Sequence, residues 1–163
     1  MIRLRAAEKS DLPRLFELDQ VCFPAGIAYC EADFRWLLRS SQVTAVVAEE
    51  DELLAGFAIA QSKQIQGALA GQIVTLDVAP DFRRRGVGQI LMDAIEVGLC
   101  TAGAESLRLE VAVDNSAALN FYRKRGFEAV GRIPGYYRAN LDAIVMEKRL
   151  TGHSPNRATY LNS

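Results

Sequence analysis

Histidine and cysteine are scarce in this chain. The only histidine is His153, and the three cysteines, Cys22, Cys30 and Cys100, are odd in number, widely spaced and form no CxxC. That excludes a zinc-type ligand pattern and a disulfide framework, so no metal is expected and the thiols are read as reduced and mostly buried, in a cytoplasm. No sign of charge dominates either: 19 Lys and Arg stand against 20 Asp and Glu, a formal net of −1. A general nucleic-acid binder shows a strongly basic face, so no nucleic-acid partner is expected. Long apolar runs are missing, and the opening "MIRLRAAEKSDL" lacks the apolar core of a secretory leader. Neither a membrane span nor export is therefore expected. There is no internal repeat and no low-complexity segment. What is present is ordinary for a globular protein: 163 residues, half of them hydrophobic and 24% charged. One domain over 1–150 is expected, long enough for a sizeable core, followed by a polar, loose tail over 151–163.

Periodicity and turn residues predict the elements. Ile2 to Ala6 alternates as a strand. Ser10 reads as an N-cap with Asp11 and Pro13 in the first turn of a helix reaching about Cys22. "FPAGIAY" is a loop, and Glu31 to Arg39 a short helix presenting Phe34, Trp36, Leu37 and Leu38. Strands follow at Val43 to Glu49 and Leu54 to Lys63, joined by the acidic turn "EEDEL"; Gln64 to Gly71 reads as a polar turn. After a strand at Ile73 to Ala79, a helix runs from about Gly86 to near Gly103. Ser106 to Val113 is a strand, and "DNSAALNFYRKRGF" a short helix ended by Gly126. Phe127 to Ile133 and Asp142 to Leu150 are the last strands, around a loop holding Pro134, Gly135, Tyr136 and Tyr137. The order β-α-α-β-β-β-α-β-α-β-β predicts an α/β mixed sheet of about seven strands with helices on both faces.

The stretch "IVTLDVAPDFRRRGVGQIL" (73–91) organises the rest. A β-branched strand is broken at Pro80, and a helix then places apolar or small residues at 90, 91, 94, 95, 98, 99 and 102. A strand, a glycine loop and a helix N-terminus make an anion site, because the first turn carries unpaired N–H groups and the positive dipole end. Gly86 and Gly88 let an anion approach the backbone, and Arg83, Arg84 and Arg85 add charge. A Walker A loop is excluded because no Lys-Ser or Lys-Thr follows Gly88, and a Rossmann fingerprint because position 91 is Leu.

What remains, an RxxGxG filled by Arg83, Gly86 and Gly88 after "LDVAPDF", resembles the acyl-CoA pyrophosphate loop of the GNAT superfamily of N-acetyltransferases. The resemblance covers roughly residues 2 to 150. It implies acetyl-CoA as cofactor, gripped by Arg83, Arg84, Arg85, Gly86, Val87, Gly88 and Gln89. It also implies strands at 73–79 and 106–113 that run parallel and then splay, with pantetheine bonded to backbone near Leu76 and Val78 and the thioester oxygen polarised by the Val78 N–H. The pattern NxxAxxxYxxxGF is matched by Asn115, Ala118, Tyr122, Gly126 and Phe127. In the family it sets a tyrosine hydroxyl beside the CoA sulfur, and a phenol can protonate a departing thiolate. The plain alternative for Tyr122 is an amphipathic tyrosine packed on the sheet. Asn115 is expected either to cap its helix or to bond the pantetheine arm as well.

Glu110 and Arg108 interrupt a strand whose other face is Leu107, Leu109, Val111 and Val113. Either they pair with a neighbouring strand, or Glu110 faces the acceptor and takes the ammonium proton, directly or through water. The family's other base position falls at Gln72, which cannot act as one. "LRLEVAVDNSAALNFYRKRGF", "GYY" and "DAIVMEKRL" resemble the RimI-type N-terminal protein acetyltransferases, with a shorter "RANL" segment after Tyr137. That resemblance implies Tyr136 and Tyr137 as acceptor-binding residues, with Glu31, Phe34 and the loop before them as the opposite wall; covering a hairpin end is the alternative for the tyrosines. The expected activity is acetyl transfer to a peptide or protein α-amine, by direct attack in a ternary complex. Acetylation of a small amine (polyamine, amino acid or antibiotic) or of lysine is the rival, and a non-catalytic acyl-CoA-binding module the second. A monomer or homodimer is expected.

Overall fold

A computed structural model describes residues 1–150; the expected tail lies outside the described residues. The chain runs β1 (Arg3–Ala6), α1 (Leu12–Cys22), α2 (Glu31–Leu37), β2 (Val43–Glu50), β3 (Leu53–Ile65), β4 (Ala68–Val78), α3 (Val87–Thr101), β5 (Ser106–Ala112), α4 (Ser116–Lys124), β6 (Glu128–Tyr137) and β7 (Leu141–Arg149). The seven strands form one sheet in the order β1-β2-β3-β4-β5-β7-β6. The expected order of elements and the mixed sheet are present.

Alternation along β3 builds both cores. Phe57 and Ile59 point to one face, where they meet Leu15 and Leu18 of α1 and Phe34 and Leu37 of α2. Ala58 and Ala60 point to the other, where Leu91, Ile95 and Leu99 of α3 join Leu107 and Leu109 of β5. The small residues there let α3 lie close to the sheet. At Gly56 a Cβ would collide with the Asp77 carbonyl and crowd Leu91, so only glycine fits.

Several local expectations change. Gln64 to Gly71 is mostly strand: β3 and β4 continue to a tight turn at Gln66 and Gly67, because cross-strand pairing extends to Ile65 opposite Ala68. Ser10 does not cap α1. A 3-10 turn, Lys9–Asp11, precedes the helix, and the Asp11 carboxylate accepts the Glu8 N–H at 2.8 Å. The second helix stops at Leu37. β6 runs through Pro134 to Tyr137, so Tyr136 and Tyr137 end a strand, with Tyr137 opposite Leu141.

Two features of β4 position the site. It pairs with β5 in parallel only at Ala70, Gly71 and Gln72, opposite Ser106, Leu107 and Arg108. Beyond them β5 stays bonded to β7 as far as Ala112, so the sheet opens between β4 and β5. On its other edge, Ile59 faces Thr75 and Ala60 faces Ile73, which leaves Val74 as a bulge residue.

Candidate active site

The opening between β4 and β5 is a groove of about 910 Å³. Its floor includes Leu76 and Val78 of β4 and Glu110 and Val111 of β5. The Ala79 N–H bonds back to Ala55 at the end of β3 at 2.8 Å, so strand alternation aims the N–H groups of Leu76 and Val78 into the opening. One end of the groove is the turn into α3. Gly86 sits at φ +77° as the residue before the helix, and Arg84 is also left-handed at φ +61°. Backbone of this kind gathers N–H groups around an anion. The N–H groups of Val87, Gly88 and Gln89 lie in the first turn of α3, where the helix supplies no acceptor. The Cβ position at Gly86 has nothing within 4 Å, so the space beside it is open.

Arg83, Arg84, Gly86, Val87, Gly88, Gln89, Leu76, Val78, Asn115 and Tyr122 all line this groove. Arg85 does not. Its guanidinium bonds Glu50 at 2.8 Å and lies 5.0 Å from the Phe82 ring, so it faces away. Arg83 donates from Nε to the Val78 carbonyl at 3.2 Å, at the groove's edge. Asn115 caps α4, accepting the Ala118 N–H at 3.1 Å.

Tyr122 is 7% exposed, with Phe121 and Phe127 set edge-on at 5.1 and 5.4 Å. Burial, with the nearby Asp77, pushes its phenol well above the ordinary tyrosine range. It therefore holds its proton at any physiological pH, as a proton donor must.

A second, smaller cavity of about 340 Å³ lies on the far side of the bulge, lined among others by Asp33, Trp36, Lys63 and Gln72. Tyr29, Ile73, Val74, Glu110 and Tyr136 line both cavities and mark where they join. Glu110 is half-buried beside the last parallel pair, and Gln72 donates to its carboxylate through Nε2. Among the described residues neither Arg108 nor Glu110 forms an ion pair, so the pairing with a neighbouring strand is not formed. Tyr136 and Tyr137 pack edge-on at 4.9 Å. Burial and then Tyr136 and Glu110 push the Tyr137 phenol up to about 12; burial and Glu110 raise Tyr136.

The wall expected from Glu31 and Phe34 is made by other residues. Phe34 is fully buried between Tyr29 and Phe57, on the face of α2 turned to the sheet. Glu31 is exposed and pairs with Arg35 at 3.2 Å. Asp33 and Trp36, three apart on the other face, line the cavity instead. That spacing was visible in the sequence. The loop before Glu31, expected in the same wall, does supply a residue: Tyr29 lines both cavities, and its hydroxyl donates to the Val74 carbonyl at 3.2 Å.

A groove between splayed parallel strands, with a glycine turn and a helix N-terminus at one end and a protonated phenol inside, has the form that an acyl-CoA-dependent transferase requires. The chain belongs to the acetyltransferase (GNAT) family, whose pattern matches residues 12–127. It is 29% identical over 153 residues to the N-alpha-acetyltransferase of Sulfurisphaera tokodaii, covering 88% of this chain and 90% of that protein. Over 99 residues it is 35% identical to the [ribosomal protein bS18]-alanine N-acetyltransferase of Salmonella typhimurium, covering 59% and 64%. The crystal structure of Arabidopsis thaliana NAA60 with acetyl-CoA has the same fold, at a TM-score of 0.83 and 22% identity over 93% of this chain and all of that one. The protein is thus an acetyl-CoA-dependent N-acetyltransferase.

Proposed function

We propose that the protein acetylates the α-amine of a peptide or protein N-terminus, held in the smaller cavity, by direct attack on acetyl-CoA held in the larger. The observation that carries this reading is the junction of two cavities at Glu110. When bound, acetyl-CoA supplies an activated acetyl thioester. The N–H groups of Val87, Gly88 and Gln89, with Arg83 and Arg84, hold its diphosphate, and those of Leu76 and Val78 hold its arm. The Val78 N–H also faces the developing oxyanion. Glu110 takes the ammonium proton, directly or through water, and Tyr122 returns one to the leaving sulfur. Holding both reactants at one junction supplies much of the rate by itself.

The cavity's chemistry supports a peptide end over a polycation. Tyr29, Trp36 and Tyr136 give it aromatic walls, and Lys63 offsets part of the charge of Asp33 and Glu110. Two of the relatives named above are called an N-alpha-acetyltransferase and a ribosomal-protein-alanine N-acetyltransferase, in line with that choice. The test is thiol release from acetyl-CoA with peptides varied at their first two residues, beside free polyamines, amino acids and ε-lysine peptides. Turnover confined to peptide α-amines is expected; faster turnover of a small amine or of lysine overturns the acceptor. Glu110→Gln is expected to lower kcat about 10²- to 10⁴-fold, and near wild-type turnover removes Glu110 as the base.

A further inference from the structure

Beneath the bulge lie two carboxyl groups that the chemistry above does not use. Asp19 of α1 is 0% exposed and Asp77 of β4 is 1% exposed. Among the described residues neither forms an ion pair. The Tyr29 N–H donates to Asp19 Oδ2 at 2.7 Å, and the Thr75 hydroxyl donates to Asp77 Oδ1. The remaining oxygens, Asp19 Oδ1 and Asp77 Oδ2, have no donor, although the two side chains lie within hydrogen-bonding reach of each other. Two ionised carboxylates cannot share a dry site without a cation. One proton between them turns one group into a donor and the other into its acceptor.

We propose that Asp19 and Asp77 share a single proton and thereby pin the Tyr29 loop as the wall between the two cavities, which makes them positioning residues for the acceptor. The role rests on the smaller cavity being the acceptor site. The chain of contacts is continuous. The shared proton ties α1 to β4, and Asp19 fixes the Tyr29 backbone. The Gln20 amide holds the Tyr29 carbonyl at 2.9 Å, and the Tyr29 hydroxyl closes on Val74. Burial raises both carboxyls, Asp77 the more, with Asp19 as its second cause. The titratable groups facing the pair are the Cys22 thiol on α1, with Arg83 beyond it, the Tyr29 phenol, and the Tyr122 phenol on α4. Burial raises Cys22, Tyr29 and Tyr122, so the pair sits among neutral neighbours at neutral pH.

The experiment compares the full chain with Asp77→Asn, Asp77→Ala and the double variant Asp19→Asn/Asp77→Asn. An asparagine amide donates as the shared proton does and cannot titrate. Asp77→Asn is expected to keep the peptide KM within about twofold of wild type near neutrality, while Asp77→Ala raises it about 10- to 100-fold with kcat and the acetyl-CoA KM little changed. The ratio of peptide KM, wild type over Asp77→Asn, is expected to be flat near neutrality and to rise at alkaline pH. The peptide amine and the facing thiol and phenols are common to both proteins and cancel. Infrared spectra of the resting proteins are expected to show a protonated carboxylic acid band in wild type that the double variant lacks. A missing band, a ratio flat to alkaline pH, or equal KM losses in Asp77→Asn and Asp77→Ala overturns the proposal. Should Asp77→Ala not fold, the band and the Asp77→Asn ratio decide it. A band present without turnover of any peptide overturns the acceptor reading and with it the positioning role.

Discussion

At the residue scale, two aromatic side chains in similar sequence settings have opposite duties. Tyr122 is packed like a core residue between Phe121 and Phe127, yet it borders the groove. Phe34 is packed more tightly still and borders neither cavity. Substitution separates them. Tyr122→Phe keeps the ring and removes only the hydroxyl, so kcat is expected to fall about 10²- to 10⁴-fold with a stable fold, measured by steady-state thiol release. Near wild-type turnover would remove Tyr122 as the acid. Phe34→Ala leaves a void against Phe57 and is expected to cost about 3–5 kcal/mol in urea unfolding. A peptide KM effect without that loss would return Phe34 to the acceptor wall.

At the scale of elements, the three arginines of the strand–turn–helix at β4 and α3 are not equivalent. Arg83 stands at the groove beside Val78, whereas Arg85 is committed to Glu50. In a coenzyme A titration, Arg83→Ala is expected to weaken binding, more so at low salt, where charge is least screened. Arg85→Ala is expected to leave affinity near wild type. Equal losses would mean that the run acts only as diffuse charge. The sequence order "LDVAPDFRRRGVG" made the loop legible, because Pro, Gly and Arg each have a local physical meaning there. It did not separate Arg83 from Arg85, because the partner that turns Arg85 away, Glu50, lies on β2, far off in the chain.

At the scale of the whole molecule, the β1 end of the sheet is fastened by charge. Arg5 holds Asp11 through two bonds of 2.8 Å and Glu49 at 2.7 and 3.2 Å. The Arg5 guanidinium keeps both carboxyls below the ordinary carboxylate range. Their folded values are lowered, so this stability is complete above that range and is lost as the pH falls through the lowered values. Arg5→Met, which leaves Asp11 buried without its partner, is expected to cost about 1.5–3 kcal/mol near neutrality. The gap from wild type should close in acid, as urea unfolding across pH would show; a gap independent of pH would assign it to packing. The order of elements, the sheet class, the glycine turn into α3 and the helix that carries Tyr122 followed from the sequence alone, because periodicity, turn residues and spacing are local properties. The strand lengths at Ile65 and Tyr137 did not, since cross-strand pairing extended them past polar and proline residues. Only the tertiary structure decided which side of α2 faces the smaller cavity, that Tyr29 lies between the two cavities, and that Asp19 and Asp77 are buried near each other. Those facts join residues far apart in the chain, and they depend on a one-residue bulge at Val74 and a sheet that stops pairing after Gln72.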